Sequence, residues 1–131
     1  MSPAPLFAII DDDEALRQAL AELLEVFGYD CQTFDGAESF MAAHGPGRFT
    51  AVVTDLNLMG ESGLALQRRL RLSEPTLPVI VISAQSDTAT RARVLDSGAV
   101  AYLTKPINDQ VLLRHLVAAL SRSDAPPPPA D

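Results

Sequence analysis

The chain has 131 residues, 47% of them hydrophobic, which suits one globular domain burying roughly two thirds of the surface its unfolded form would expose. A formal net charge of −7 argues against direct binding to nucleic acid or to an anionic lipid surface, since both rely on Lys and Arg to neutralise phosphates. The single cysteine excludes an internal disulfide. The first apolar run, with no basic residue before it and three aspartates after it, reads neither as a signal peptide nor as a membrane span, so a cytoplasmic location is expected.

That first run, Leu6–Ile10, is the first strand candidate. A helix follows, with Leu16, Leu20, Leu23, Leu24 and Phe27 on one stripe, an aspartate at 12 or 13 to cap its start and Gly28 to end it. Cys31–Phe34 reads as the second strand, with Cys31 filling core rather than reacting. Segments near 37–44, 63–72 and 88–97 are helices with weaker stripes, separated by strands at Ala51–Thr54 and Val79–Ile82. The helix from Thr88 to Ser97 carries mostly Ala, Thr and Arg and is expected to be the loosest. Val100–Leu103 is the fifth strand, and the last helix places Leu113, Leu116, Val117 and Leu120 on one face with Asn108 before it. Residues 1–124 are read as one domain and 125–131, with four consecutive prolines, as a tail or linker stub. His44 and His115 are expected to be surface histidines, and Arg68, Arg69, Arg71, Arg91 and Arg93 solvated helix faces.

Short apolar runs alternating with helices predict an α/β fold: a five-stranded parallel sheet with helices on both faces. In such a sheet, ligands bind at the carboxyl ends of the strands, and for strand order 2-1-3-4-5 the crevice lies between strands one and three. Asp11 and Asp12 follow strand one, Asp55 strand three, Ser83 strand four and Lys105 strand five, so all fall at that end. Three converging carboxylates repel one another, by about 4 kcal/mol for a pair 4 Å apart at an effective dielectric of 20. A hard divalent cation with oxygen ligands offsets this, and Lys105 adds a compact positive charge. One of Asp11, Asp12 and Asp13 is expected to serve only as the helix cap.

The constellation resembles the receiver domain of bacterial two-component response regulators from about Phe7 to Leu120. The resemblance rests on Ile9-Ile10-Asp11-Asp12-Asp13, Val53-Thr54-Asp55-Leu56-Asn57, Gly60 with Ser62-Gly63, Ile82-Ser83-Ala84 and Tyr102-Leu103-Thr104-Lys105-Pro106, in that order. It implies a flavodoxin-like (βα)5 three-layer sandwich in which Asp55 is the phosphoacceptor. Asp11, Asp12, Asp55 and the carbonyl of Asn57 would hold Mg2+ or Mn2+. Ser83, Ala84, Lys105 and Tyr102 would be the phosphate-coordinating and switch residues, and the Lys105-Pro106 bond would be cis. The implied phosphoryl donor is a sensor histidine kinase or phosphotransfer protein, and the implied consequence is a change at the face of helix four, strand five and helix five that permits a phosphorylation-dependent homodimer or partner. The motifs of strands four and five look nearest to the nitrogen-fixation regulator type.

One departure is Leu58-Met59 before Gly60, where the family usually has Met-Pro. A haloacid-dehalogenase-type phosphatase shares the Asp-x-Asp spacing at 11–13, but its threonine is replaced by Ala15. A non-phosphorylated interaction module of the same fold is the other alternative. The resemblance makes the chain a signalling domain rather than an enzyme, catalysing at most its own phosphorylation and dephosphorylation.

Overall fold

The structure, a computed structural model, describes residues 5–58 and 60–124, with side chains to residue 120; the Pro-rich segment lies outside the described residues. Ten elements alternate strictly: β1 (Leu6–Ile10), α1 (Glu14–Val26), β2 (Asp30–Phe34), α2 (Ala37–Ala43), β3 (Ala51–Asp55), α3 (Gly63–Ser73), β4 (Val79–Ser83), α4 (Thr88–Asp96), β5 (Ala101–Thr104) and α5 (Asp109–Asp124). The strands are parallel in the order β2-β1-β3-β4-β5.

Strand periodicity divides the core into two layers. Phe7 and Ile9 of β1 point to the side covered by Leu20 and Leu24 of α1 and Leu112 and Leu116 of α5. Ala8 and Ile10 point to the other, against Phe40 of α2, Leu66 and Leu70 of α3 and Val94 of α4. All five residues of β3 and of β4 are buried, as near-continuous apolar runs in a sheet covered on both faces require. Val94 is the one buried residue of α4, in keeping with its weak stripe.

Several sequence expectations are corrected. Phe27 is not in the core but 46% exposed, because α1 stops at Val26 and Phe27 is its C-cap. Gly28, at φ +85°, then turns the chain, with its N–H on the Glu25 carbonyl and the Tyr29 N–H on Leu24. Tyr29 therefore takes the place expected of Phe27, packing edge-on against Phe7 at 5.5 Å. On α5 the buried line is Leu112, Leu116 and Ala119, one step round from the expected stripe, leaving Val117 44% exposed. Eight apolar residues from 111 to 120 offer two overlapping stripes, and Asn108, whose side chain accepts from the N–H groups of Gln110 and Val111, fixes where the helix begins.

His44 is not a surface histidine. Its side chain is 6% exposed and its Nε2 lies 2.8 Å from Glu74 Oε1. All five arginines of α3 and α4 are exposed, as expected of solvated faces, and three of them also bond locally: Arg69 pairs with Glu61, Arg91 donates to the Tyr102 carbonyl and Arg71 to the Asp96 carbonyl. Cys31 is half-buried against the α1/α5 layer, and burial, with Asp30 and Glu25 nearby, pushes its thiol up.

Candidate functional site

The site forms at the carboxyl ends of the neighbouring strands β1 and β3. Asp11 follows the last residue of β1 and is fully buried; its N–H is tied to the Phe34 carbonyl at the end of β2. Asp55 closes β3 and is 6% exposed, while Asp12 faces solvent. One carboxylate oxygen from each of Asp11, Asp12 and Asp55 lies within 4.8 Å of the others. Asp13 takes the capping role, accepting from the N–H groups of Ala15 at 3.0 Å and Leu16 at 3.2 Å, so one acid of the run is indeed spent on the helix.

Each carboxylate is held by few groups. Asp11 Oδ1 accepts the Asp13 N–H at 2.8 Å, whereas its Oδ2 is buried with no hydrogen-bond partner among the described residues. Asp55 Oδ1 accepts the Asn57 N–H at 3.2 Å, and Oδ2 meets Lys105 Nζ at 3.1 Å. The same ammonium is 3.8 Å from Asp11 Oδ2. The Asp11 carboxyl is pushed up by burial first and by the charges of Asp55 and Asp12, against the Asp13 N–H and Lys105. Burial pulls Lys105 down, but the hydrogen bond to Asp55 and the charges of Asp11, Asp55 and Asp13 outweigh it and hold the ammonium above its usual range.

One ammonium among three carboxylates leaves the cluster under-compensated. A buried carboxylate oxygen without a donor is costly unless a cation meets it. The donor set, three carboxylates within reach of one another, fits a hard oxygen-seeking ion such as Mg2+. Beside it an open cleft of about 930 Å3 runs between Asp12, Asp35, Ser39, Gly60, Glu61 and Arg69.

The other expected residues surround this cluster. Ser83 ends β4, fully buried, and its Oγ accepts the Gln85 N–H at 3.0 Å; Ala84 beside it is exposed. Tyr102 is 3% exposed, the buried of its two conceivable orientations, and its hydroxyl donates to the Gln85 carbonyl. The Lys105-Pro106 bond is cis, and the Lys105 N–H donates to the Ser83 carbonyl, tying β5 to β4 at the site. Asn57 is exposed beside Asp55.

Two residues escaped the sequence reading. Gln85 joins Ser83 to Tyr102 through its own backbone, a link foreshadowed only by the tendency of serine to accept the N–H two residues on. Arg17, on the first turns of α1, donates from Nη1 to the Asp11 carbonyl at 2.6 Å. Nothing in its spacing distinguishes it from a solvated helix arginine.

Residues 7–117 match the family described as response regulator receiver domain. Among characterised relatives, the transcriptional regulatory protein FixJ of Rhizobium meliloti is 34% identical over 118 residues, covering 85% of this chain and 58% of the relative. FixJ of Bradyrhizobium diazoefficiens is 29% identical over 88% of this chain and 57% of its own length, and the response regulator protein TodT of Pseudomonas putida 31% over 94% and 56%. The chain thus spans little more than half the length of these relatives. The solved receiver domain of DrrB activated with BeF3 superposes with a TM-score of 0.83 at 28% identity, covering 91% of this chain and 99% of that one. A response regulator receiver protein from Pseudomonas putida gives 0.80 at 36% identity, covering 90% and 98%. The FixJ matches agree with the nitrogen-fixation type of receiver read from strands four and five. The chain belongs to the response regulator receiver domain family of two-component systems.

Proposed function

We propose that this receiver accepts a phosphoryl group on Asp55 from the phosphohistidine of a sensor histidine kinase or phosphotransfer protein. The observation that carries the reading is the pairing of Lys105 with Asp55 beside a buried Asp11 oxygen that accepts no hydrogen bond: a nucleophilic carboxylate with one fixed cation and a place for a second. When bound by Asp11, Asp12, Asp55 and the Asn57 carbonyl, Mg2+ or Mn2+ supplies positive charge that offsets the carboxylates and the phosphoryl oxygens.

In the transfer, the P–N bond of the donor breaks as a P–O bond forms to an Asp55 carboxylate oxygen. The imidazole, protonated on its other nitrogen, departs neutral with the electron pair. Positioning and charge are what the protein contributes. Lys105 is placed to follow the charge from the carboxylate to a phosphoryl oxygen, and the Ser83 hydroxyl to donate to another.

The Ser83 hydroxyl oxygen now accepts from Gln85, whose carbonyl holds the Tyr102 hydroxyl. Recruiting Ser83 to phosphate therefore bears on the segment that holds Tyr102 and leads into α4. We assign the output to the face of α4, β5 and α5, where phosphorylation would tighten self-association or partner binding by roughly 5- to 150-fold, the usual span of such coupling.

The test is labelling by acetyl phosphate with Mg2+ present. The native chain is expected to be labelled and Asp55→Asn to take up no label, since the amide is a poor nucleophile and lacks the charge. Undiminished labelling of Asp55→Asn would sink the assignment.

A further inference from the structure

We propose that Arg17 is a positioning residue for the cation site, fixing the Asp11 main chain so that its carboxylate stays grouped with those of Asp12 and Asp55. The inference rests on the cation reading above and adds a residue to it. Arg17 Nη1 donates to the Asp11 carbonyl at 2.6 Å, while the Arg17 backbone N–H donates to the Asp13 carbonyl at 2.9 Å. The backbone bond is the ordinary helical one that any residue at 17 makes, so the arginine's own hold on the turn between β1 and α1 is its bond to the Asp11 carbonyl.

The target of the guanidinium decides its role. Among the described residues no carboxylate stands within ion-pair distance of Arg17, whereas Lys105 pairs with both Asp11 and Asp55. Arg17 therefore occupies none of the carboxylate oxygens that a cation would need. Its hydrogen bond fixes the carbonyl end of Asp11, and the Asp13 N–H on Oδ1 fixes the side chain. With both ends held, Oδ2 remains buried, 3.8 Å from Lys105 Nζ.

The restraint has a force to oppose. Asp11, Asp12 and Asp55 repel one another, and a free Asp11 would relieve that repulsion by turning its carboxylate toward water. Release of Arg17 opens this route, and the carboxylates no longer share one small volume in the metal-free protein. Partners that orient metal ligands in this way typically contribute 10- to 100-fold to metal affinity. Arg17 reaches the ligand's backbone rather than its carboxylate, so the lower end is expected.

Charge and position predict opposite signs. If Arg17 acted as a nearby cation, its removal would tighten Mg2+ binding; if it positions Asp11, removal weakens it. Mg2+ titrations by calorimetry on the full chain should give an affinity about tenfold weaker for Arg17→Met than for the native protein. Arg17→Lys, which keeps a donor able to reach the carbonyl, should recover part of the loss. In the metal-free proteins, the Asp13 amide should exchange faster in Arg17→Met while the amides of Ile80 and Ile82 in β4 keep their native rates. Native or tighter Mg2+ affinity in Arg17→Met, or an unchanged Asp13 exchange rate, overturns the inference. If the native chain itself binds no Mg2+, the cation reading falls and takes this inference with it; if the native chain binds and Arg17→Met binds equally, the inference alone falls.

Discussion

Gly63 opens α3 against the end of β3 at Asp55, and replacing it with alanine tests how closely that strand and that helix must approach. A Cβ there would lie 2.2 Å from the Asp55 carbonyl oxygen and 2.9 Å from Leu56 Cα, both backbone atoms. Ordinary contact begins at 3.4 Å, so the two segments must part by about 1.2 Å. β3 cannot recede, because all five of its residues are buried and it is paired with β1 on one side and β4 on the other. The helix start must move instead, stretching the hydrogen bond from the Gly63 N–H to the Leu56 carbonyl, now 2.7 Å. The displaced loop includes Asn57, whose N–H holds Asp55 Oδ1. Overpacking of this kind costs about 1 to 3 kcal/mol, which for a chain of this length lowers Tm by about 4 to 12 °C. A shift near 1 Å at a reacting group costs about 100-fold in rate, so labelling by acetyl phosphate should slow by about that factor. Gly45→Ala, where an added Cβ meets nothing within 4 Å, is the control and should stay within about 0.5 kcal/mol of native. A Gly63→Ala protein with native melting and native labelling would refute the close-approach argument.

Asp11→Asn should raise the Tm of the metal-free protein, by about 4 °C for each kcal/mol of relieved strain, and abolish any added stability on supplying Mg2+. The sign follows from the raised Asp11 pKa: a carboxyl pushed up in the fold weakens the fold when ionised, so metal-free native protein should gain stability as pH falls from neutral through that raised pKa. Thermal melts with and without Mg2+ check both halves, and a lower metal-free Tm for Asp11→Asn would contradict them. Beryllofluoride with Mg2+ should change hydrogen exchange in α4 and tighten self-association or partner binding. Binding that leaves exchange, sedimentation and partner affinity all unchanged would rule out the assigned output face.

The strands were legible because apolar runs in a sheet covered on both faces are nearly continuous, and their limits differ from expectation by about one residue. The differences have one physical form at the site: Asp55 and Ser83 end the hydrophobic run in sequence yet still belong to the ladder, opposite Ile82 and Thr104. Polarity marks where burial by side chains stops, whereas the strand continues as long as the backbone is paired. Helix faces were less legible, since Phe27 sits at helical spacing from buried Leu24 and Val117 from half-buried Leu113 and Leu120, and both are nonetheless exposed. Where a helix ends or begins is set by its cap, and a shift of one residue turns a side chain by about 100°. The charged members of the site could be found from their places at strand ends. Arg17 and Gln85 could not, because each works through a hydrogen bond to main chain, and a backbone carbonyl leaves no mark in a sequence.

The distribution of cost in this fold is uneven and follows from the same chemistry. Elsewhere, polar groups are placed conservatively: Asp13, Ser62, Asp87 and Asn108 accept the free N–H groups of their helices. The His44 imidazole, almost wholly buried, is met by Glu74. At the end of β1 and β3 the rule is broken, with a buried carboxylate oxygen left bare beside two further acids and a single ammonium. No requirement of the sheet explains that arrangement, since an apolar or amide side chain at Asp11 would fill the place without repulsion. The arrangement is tolerable because β1 and β3 are paired on both sides, so the strands themselves cannot recede from the repulsion. Positive charge would relieve the mutually repelling acids, and if Asp55 is phosphorylated as proposed, the hydrogen bonds from Ser83 through Gln85 to Tyr102 are the contacts through which the change would pass.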